Sequence, residues 1–280
     1  MNLLVIRNLI KKRKQSAGFS LLIRSFHLQR GANLAIVGPS GCGKSTTLDL
    51  LGMVLKPDQC DEFSLNFTKE NLNIAKLWQA EDLDRMARLR REHLGYVLQT
   101  GELLPYLSVA ENVELTYAMG RGKGHGLSVS ELLRLLEIEH LAKALPKTLS
   151  IGERQRAAIA RALASSPELL LADEPTAALD PNLSRKVLRL FLDLARRLQT
   201  AIVMVSHDVN LVDEFHFQKL AINVERSSLG TTSVLDDGVS LEQSKDWQIN
   251  TSTNNHKKLP SATNLLLPNK GAKLPQGVGL

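Results

Sequence analysis

Cysteine is scarce in this chain, with only two among 280 residues, and one of them stands inside a glycine-rich segment. Two cysteines cannot supply a disulfide framework, so the sequence favours a reducing compartment. Long hydrophobic runs are also missing, since no stretch reaches the roughly 18 apolar residues that a membrane span requires. The N-terminus has no secretory pattern. We therefore expect a soluble, cytoplasmic protein.

A long block of one charge is missing as well. The net charge of +6 is spread along the chain, and its densest basic run, residues 11–14, is predicted to be a solvated turn between two strands. We therefore expect no nucleic-acid partner. Residues 238–280 lack hydrophobic periodicity and are predicted to be a disordered tail, which leaves 1–237 as the folded domain.

Short apolar runs recur along the folded part and indicate an α/β protein. Helical patterns separate the later runs, which is typical of a buried, mostly parallel sheet, whereas the closely spaced early runs favour an antiparallel edge. A helical region is expected over about 100–166, with a flexible connector at 120–126, and residues 81–93 are predicted to form an exposed helix. Residues 56–77 match no clear pattern. The predicted strands are 3–6, 21–26, 34–37, 94–98, 169–172 and 201–205.

A glycine-rich segment follows the third predicted strand and precedes a helical pattern, as in a phosphate-binding loop. Glycines allow successive backbone N–H groups to surround phosphate oxygens, and the positive end of the next helix faces the same anion. Its lysine is expected to reach the β- and γ-phosphates, and its serine hydroxyl to bind Mg²⁺. A glycine-rich turn that matches by chance is the alternative. The segment is Gly38, Pro39, Ser40, Gly41, Cys42, Gly43, Lys44, Ser45 and Thr46.

Two adjacent carboxylates end the apolar run at 169–172. At the carboxyl end of a parallel strand, Asp173 is well placed to hold Mg²⁺, and Glu174 to act as the general base for an attacking water. A strand followed by an acidic turn is the alternative.

These motifs occur in the order seen in the ATP-binding-cassette (ABC) ATPases, which the chain resembles over roughly residues 1–237. Further matching segments are Gln99 after the fourth run, Ser150 and Gly152 ahead of a helical stretch, and His207 after the strand at 201–205. The resemblance implies a P-loop NTPase fold with a mostly parallel sheet, an antiparallel edge and a helical subdomain. The pattern is similar to the ATPase subunits of lipoprotein-release, macrolide-export and cell-division-type complexes.

The resemblance also implies a mechanism. Two copies would form a homodimer with MgATP between the phosphate loop of one copy and the Ser150–Gly152 segment of the other. Gln99 would contact Mg²⁺ and the attacking water, and His207 would contact the γ-phosphate and orient Glu174. A separate integral membrane permease would dock after Gln99, which implies a peripheral location on the cytoplasmic face. The apolar residues expected there are Leu103, Leu104, Tyr106 and Leu107.

The chain departs from the family pattern at three places, one of which is the segment 56–77, where the family has a glycine-containing turn and short strands. Ile151 replaces a glycine, and its branched side chain disfavours positive φ and crowds a phosphate, while Glu153 replaces a common glutamine. The aromatic that stacks on adenine is also missing, and Arg13 or Phe19 is expected to substitute. These departures leave a nucleotide sensor with weak hydrolysis as an alternative function. A soluble ABC ATPase outside transport is a second alternative, which the single cassette and the lack of sustained heptads disfavour.

Overall fold

The computed structural model describes residues 2–13, 18–67, 70–119, 126–227 and 230–238. The expected tail at 238–280 and the connector at 120–126 lie almost entirely outside these residues. Within them the strands are β1 (Asn2–Lys12), β2 (Phe19–Gln29), β3 (Asn33–Val37), β4 (Glu62–Phe67), β5 (Glu70–Asn73), β6 (Leu94–Val97), β7 (Leu169–Asp173), β8 (Ala201–Ser206), β9 (Gln218–Ser227) and β10 (Gly230–Asp236). The α-helices are α1 (Lys44–Leu51), α2 (Ile74–Gln79), α3 (Leu83–His93), α4 (Val109–Met119), α5 (Val129–Leu135), α6 (Ile151–Leu163), α7 (Pro181–Arg197) and α8 (Val209–Glu214).

All ten of these strands form one sheet, in the order β5-β4-β1-β2-β10-β9-β3-β8-β7-β6. The run from β9 to β6 is parallel throughout. Its central strands are apolar and almost fully buried because helices cover both faces. The expected α/β fold with a mostly parallel sheet is confirmed.

The register of the parallel strands determines where the functional segments meet. Val37 pairs with Ser206, and Asp173 pairs with Val205, so β3, β7 and β8 end at the same level. The segments that follow these strands therefore leave from one edge of the sheet, where parallel α/β proteins place their ligand sites.

The early strands pair antiparallel, as expected, with β1 between β2 and β4. The structure differs from the expected turn at 11–14, because Lys11 and Lys12 belong to β1 and Lys11 Nζ donates to the carbonyl of Lys56 at 2.8 Å. The segment 56–77, which had no predicted structure, contributes the hairpin β4–β5 and the start of α2.

The helix expected at 81–93 is present as α3, with a mostly exposed surface and Met86, Leu89 and His93 buried. A second core lies where α4, α5 and α6 pack together. Small side chains of α6 at Ala157, Ala158 and Ala160 are fully buried in this core. Among the described residues, none of the helices combines the length and the hydrophobicity that a membrane span requires.

Candidate functional site

The glycine-rich segment joins β3 to α1 and has the backbone that a phosphate-binding loop needs. Gly41 and Gly43 have φ of +76° and +98°, in the left-handed region where side chains are strained. A Cβ on Gly38 would lie 2.9 Å from the Sγ of Cys42, so this glycine is required by packing inside the loop. Burial of Cys42 raises the pKa of its thiol, so the thiol stays protonated at neutral pH.

Lys44 is the first residue of α1, and its ammonium group folds back over the loop. Its Nζ donates to the carbonyls of Gly38 at 3.0 Å and Pro39 at 3.2 Å. The side chain of this lysine is 8% exposed, so a positive charge is held inside a ring of backbone dipoles. An anion that enters the loop would replace these carbonyls as its partner.

A cleft of about 430 Å³ collects most of the predicted site residues in one place. Ser150, Gly152 and His207 are not among its lining residues. The lining consists of Arg13, Phe19, Ser40, Gly41, Gly43, Lys44, Ser45, Thr46, Gln99, Asp173 and Glu174. The sheet topology therefore brings together segments that lie more than 150 residues apart in the sequence.

Three residues of this cleft, Ser45, Gln99 and Asp173, have side-chain oxygen atoms that can serve as Mg²⁺ ligands. The Ser45 hydroxyl donates to the carboxylate of Asp173, and Gln99 lines the same cleft from the end of β6. Burial raises the pKa of Asp173, and the Ser45 hydrogen bond and the charge of Lys44 act against this shift. A hydroxyl, a carboxylate and a side-chain carbonyl are hard ligands that magnesium prefers, so these residues fit the ion.

Glu174 links the phosphate loop to His207. Its Oε2 lies 3.1 Å from Nδ1 of His207, and its Oε1 lies 4.0 Å from Nζ of Lys44. Glu174 also has φ of +44°, which is uncommon for a residue other than glycine and is found at sites where the surroundings impose the backbone. The backbone N–H of Glu174 still donates to Val205, so the sheet supports this conformation.

Arg13 and Phe19 flank the phosphate loop at the side where an adenine-stacking group was expected. The Cζ of Phe19 lies 3.2 Å from the position that a Cβ on Gly43 would take, and Nη2 of Arg13 lies 3.5 Å from Oγ1 of Thr46. Both side chains are therefore within reach of a nucleotide in the cleft. That one of the two stacks on the adenine stays a prediction.

The Ser150 segment forms the N-terminus of α6. Ser150 is the N-cap, and a capping box joins it to Glu153, whose Oε2 accepts from the backbone N–H of Ser150 at 2.8 Å. The hydrogen bonds from Ser150 lower the pKa of Glu153, so its carboxylate is charged and held against the helix end. The low tolerance of a branched side chain for positive φ has no consequence at Ile151, because Ile151 is the first residue of α6 and its φ is not positive.

Ile151 instead acts through its side chain, which is 59% exposed. The next residue, Gly152, lies at a close contact between helices, where an added side chain would require Leu183 to move. A Cβ on Gly152 would lie 2.6 Å from Cδ2 of Leu183, so α6 and α7 approach closely at this point.

Two residues near the site were not predicted. The hydroxyl of Tyr96 on β6 donates to Oδ1 of Asp49 on α1 at 3.4 Å. Burial raises the pKa of Asp49 and that of Tyr96, which keeps the phenol protonated. Asp49 lies on α1 beyond the loop motif, in ordinary helical sequence, so no local pattern distinguishes it.

The ABC transporter family model matches residues 22–177, which is more than half of the chain. The chain belongs to the ABC transporter ATP-binding family. Members of this family are ATPases, and the expected activity class is therefore confirmed.

Similar proteins support the same assignment. The lipoprotein-releasing system ATP-binding protein LolD of Shewanella denitrificans is 42% identical over 187 residues, which cover 66% of this chain and 76% of LolD. The ABC transporter ATP-binding protein MJ0796 of Methanocaldococcus jannaschii is 34% identical over 215 residues, covering 74% and 87%. A dimeric post-hydrolysis structure of MJ0796 with ADP and phosphate bound matches with a TM-score of 0.63 at 31% identity, covering 78% of this chain and 93% of that one. The subfamily resemblance is thus confirmed.

Proposed function

We propose that this chain binds MgATP, dimerises on it with a second copy, and uses its hydrolysis to drive a separate membrane permease from the cytoplasmic face. The convergence of Lys44, Asp173 and the Glu174–His207 pair at the ends of β3, β7 and β8 supports this function best. The dimeric assembly of the MJ0796 structure supports the dimer.

Each residue has a distinct role in this proposal. The amides of the phosphate loop and the ammonium group of Lys44 bind and orient the triphosphate. Ser45, Asp173 and Gln99 would hold Mg²⁺, which when bound neutralises charge on the phosphate oxygens. Glu174 is the general base that accepts the proton of the attacking water. General-base catalysis typically raises the rate of such a reaction about 10²–10⁴-fold.

His207 positions that base. Its side chain is 61% exposed, and its Nδ1 contacts Oε2 of Glu174, whereas Lys44 faces Oε1. A carboxylate held between two nitrogen groups has a defined direction, so the proton is taken from one position. The α6 N-terminus of a second copy would complete the site, with Ser150 and Gly152 at the γ-phosphate. Ser150 would then have to exchange its hydrogen bond to Glu153 for one to phosphate.

The permease surface that we propose differs in detail from the expectation. Leu103 is buried, at 8% exposure, so it belongs to the core rather than to a docking surface. Between Gln99 and the end of α4, the large exposed apolar side chains are Tyr106 at 73%, Met119 at 50% and Leu115 at 39%. A patch of exposed apolar side chains is typical of protein contacts, whereas isolated ones are ordinary. We propose that these three residues, which lie on α4 or shortly before it, form such a patch for the permease.

The Glu174→Gln variant tests the function directly. Glutamine keeps the size and the hydrogen-bonding reach of the side chain but cannot accept the proton, so the variant should accumulate an ATP-bound dimer that the wild type does not. Sedimentation velocity with and without MgATP, together with phosphate release, measures both effects. If wild type and variant dimerise alike and neither releases phosphate, the sensor with weak hydrolysis, which the exposed Ile151 favours, replaces the transport ATPase.

A further inference from the structure

The turn that follows Gln99 has an unusual backbone. Gly101 and Glu102 both have positive φ, at +74° and +38°, and the Gly101 amide donates to the carbonyl of Leu98 at 3.0 Å. A left-handed glutamate is uncommon and requires support from its surroundings.

That support comes from one arginine of α6. Arg161 donates from Nη1 to the carbonyl of Glu102 at 2.8 Å and from Nη2 to the carbonyl of Gly101 at 3.1 Å. Arg161 is partly buried, and this burial lowers the pKa of its guanidinium. The planar fork of a guanidinium matches two successive carbonyls, whereas a lysine ammonium cannot present the same pair of parallel donors.

The turn also packs on the same face of α6. A Cβ on Gly101 would lie 3.4 Å from Cβ of Ala158 and 3.6 Å from Cγ of Arg154. Positions 154, 158 and 161 are spaced by four and three residues, so they line one stripe of the helix. A movement of α6 is therefore passed to the turn by direct contact.

The chain beyond the turn is held at a second point. Asn112 on α4 is fully buried and accepts from the amide of Leu104 at 2.8 Å, while its Nδ2 donates to the carbonyls of Leu104, Leu107 and Ser108 at 3.0–3.1 Å. The segment between Gln99 and Tyr106 thus has two fixed points, and Arg161 is the one nearer to Gln99.

We propose that Arg161 is a positioning residue that couples the N-terminus of α6, where Ser150 lies, to Gln99 in the cleft. The idea rests on the proposed function, since it assigns Ser150 to the partner's nucleotide and Gln99 to the chain's own. Contact of α6 with the second nucleotide would be transmitted along the helix, through the guanidinium, to the turn that carries Gln99. Loss of Arg161 should disturb catalysis while the phosphate loop still binds nucleotide.

The test compares Arg161→Met and Arg161→Lys with wild type in the full-length chain. For Arg161→Met we expect kcat of MgATP hydrolysis to fall roughly tenfold, as misplaced catalytic groups do, with KM changed less than about twofold because the phosphate loop is untouched. Hydrogen exchange over residues 98–104 should become faster, and Arg161→Lys should restore part of both properties. Arg189→Met serves as the control, because Arg189 is exposed on α7 and takes part in none of these contacts.

Three results would overturn the proposal. Unchanged kcat and unchanged exchange over 98–104 in Arg161→Met would show that the contact transmits nothing. An equal loss of kcat in Arg189→Met would show that the loss is not specific to the Arg161 contact. A loss of kcat in Arg161→Met that accompanies a lower melting temperature, with unchanged exchange over 98–104, would show a general effect on the fold. If Arg161→Met does not fold, Arg161→Lys decides by the same measurements. Wild-type protein that releases no phosphate would contradict the proposed function, whereas the exchange comparison still judges the Arg161 contact.

Discussion

Ile151 gives the sharpest quantitative prediction, because its exposed side chain separates stability from dimerisation. The residue lies at the first position of α6 with an ordinary helical backbone, and only its side chain distinguishes it from the family's glycine. Since 59% of Ile151 is exposed, Ile151→Ala removes little packing and introduces a better helix former, so the free energy of unfolding should change by less than about 1 kcal/mol.

At the proposed dimer contact the same side chain faces the partner's nucleotide. An extra branched side chain in a closely packed contact typically costs about 1–3 kcal/mol. Removing one such side chain should therefore lower the dissociation constant of the MgATP-dependent dimer roughly fivefold or more. The effect should be larger in practice, because the symmetric dimer contains two copies of the contact. Ile151→Gly should give the larger gain at the dimer contact and the larger loss of helix stability, about 0.5–1 kcal/mol.

Sedimentation velocity in the Glu174→Gln background measures the dimer without turnover, and urea unfolding measures the monomer. Leu83 offers a matched control, because it is also 59% exposed and is also the first residue of a capped helix. Leu83→Ala should leave the dimer unchanged. A dimer that is equally strong or weaker in both Ile151 variants would refute the steric explanation and would point to a favourable contact by Ile151.

Three further predictions concern the cleft and its support. For the adenine contact, Phe19→Ala and Arg13→Ala are compared by calorimetric titration with MgATP. The variant that lacks the stacking side chain should bind MgATP about 1–3 kcal/mol more weakly. Unchanged affinity in both variants would show that neither side chain contacts the nucleotide. Asn112→Ala should lower the free energy of urea unfolding by about 2–4 kcal/mol, because it leaves buried carbonyls unpaired, and a change below about 1 kcal/mol would contradict its anchoring role. Burial raises the pKa of Asp173 in the folded protein above its value in the unfolded chain. The ionised carboxylate therefore destabilises the folded state at neutral pH, and this destabilisation disappears as the pH falls and the group is protonated. Asp173→Asn should therefore melt higher than wild type at pH 7.5 without nucleotide, with an advantage that shrinks on acidification, and an advantage that grows towards low pH would contradict the burial argument.

The sequence alone determined the phosphate loop, the paired carboxylates and the central strands. These features depend on local rules. Glycine is favoured where φ is positive, as at Gly41 and Gly43. A strand buried on both faces is mostly apolar along its length, as in β7 and β8. Each of these features is identified by the residue types within one short segment, so the local sequence was enough to predict it.

Strands β9 and β10 were not predicted, since neither is apolar throughout. Thr231, Thr232 and Ser233 are three of the seven residues of β10, which is held in place by pairing with β2 and β9. Pairing partners about 200 residues away leave no mark on the local pattern, because backbone hydrogen bonds do not depend on side-chain type.

Tertiary structure also decided the contacts between side chains and distant backbone. Helical periodicity places Arg161 on a face of α6, but only the packing of α6 against the turn shows that its guanidinium meets the carbonyls of Gly101 and Glu102. The same holds for Tyr96 and Asp49, which meet because α1 packs on β7, the strand that pairs with β6. Local sequence specifies which backbone a segment adopts, whereas the choice of partner for each polar group depends on how the finished layers pack.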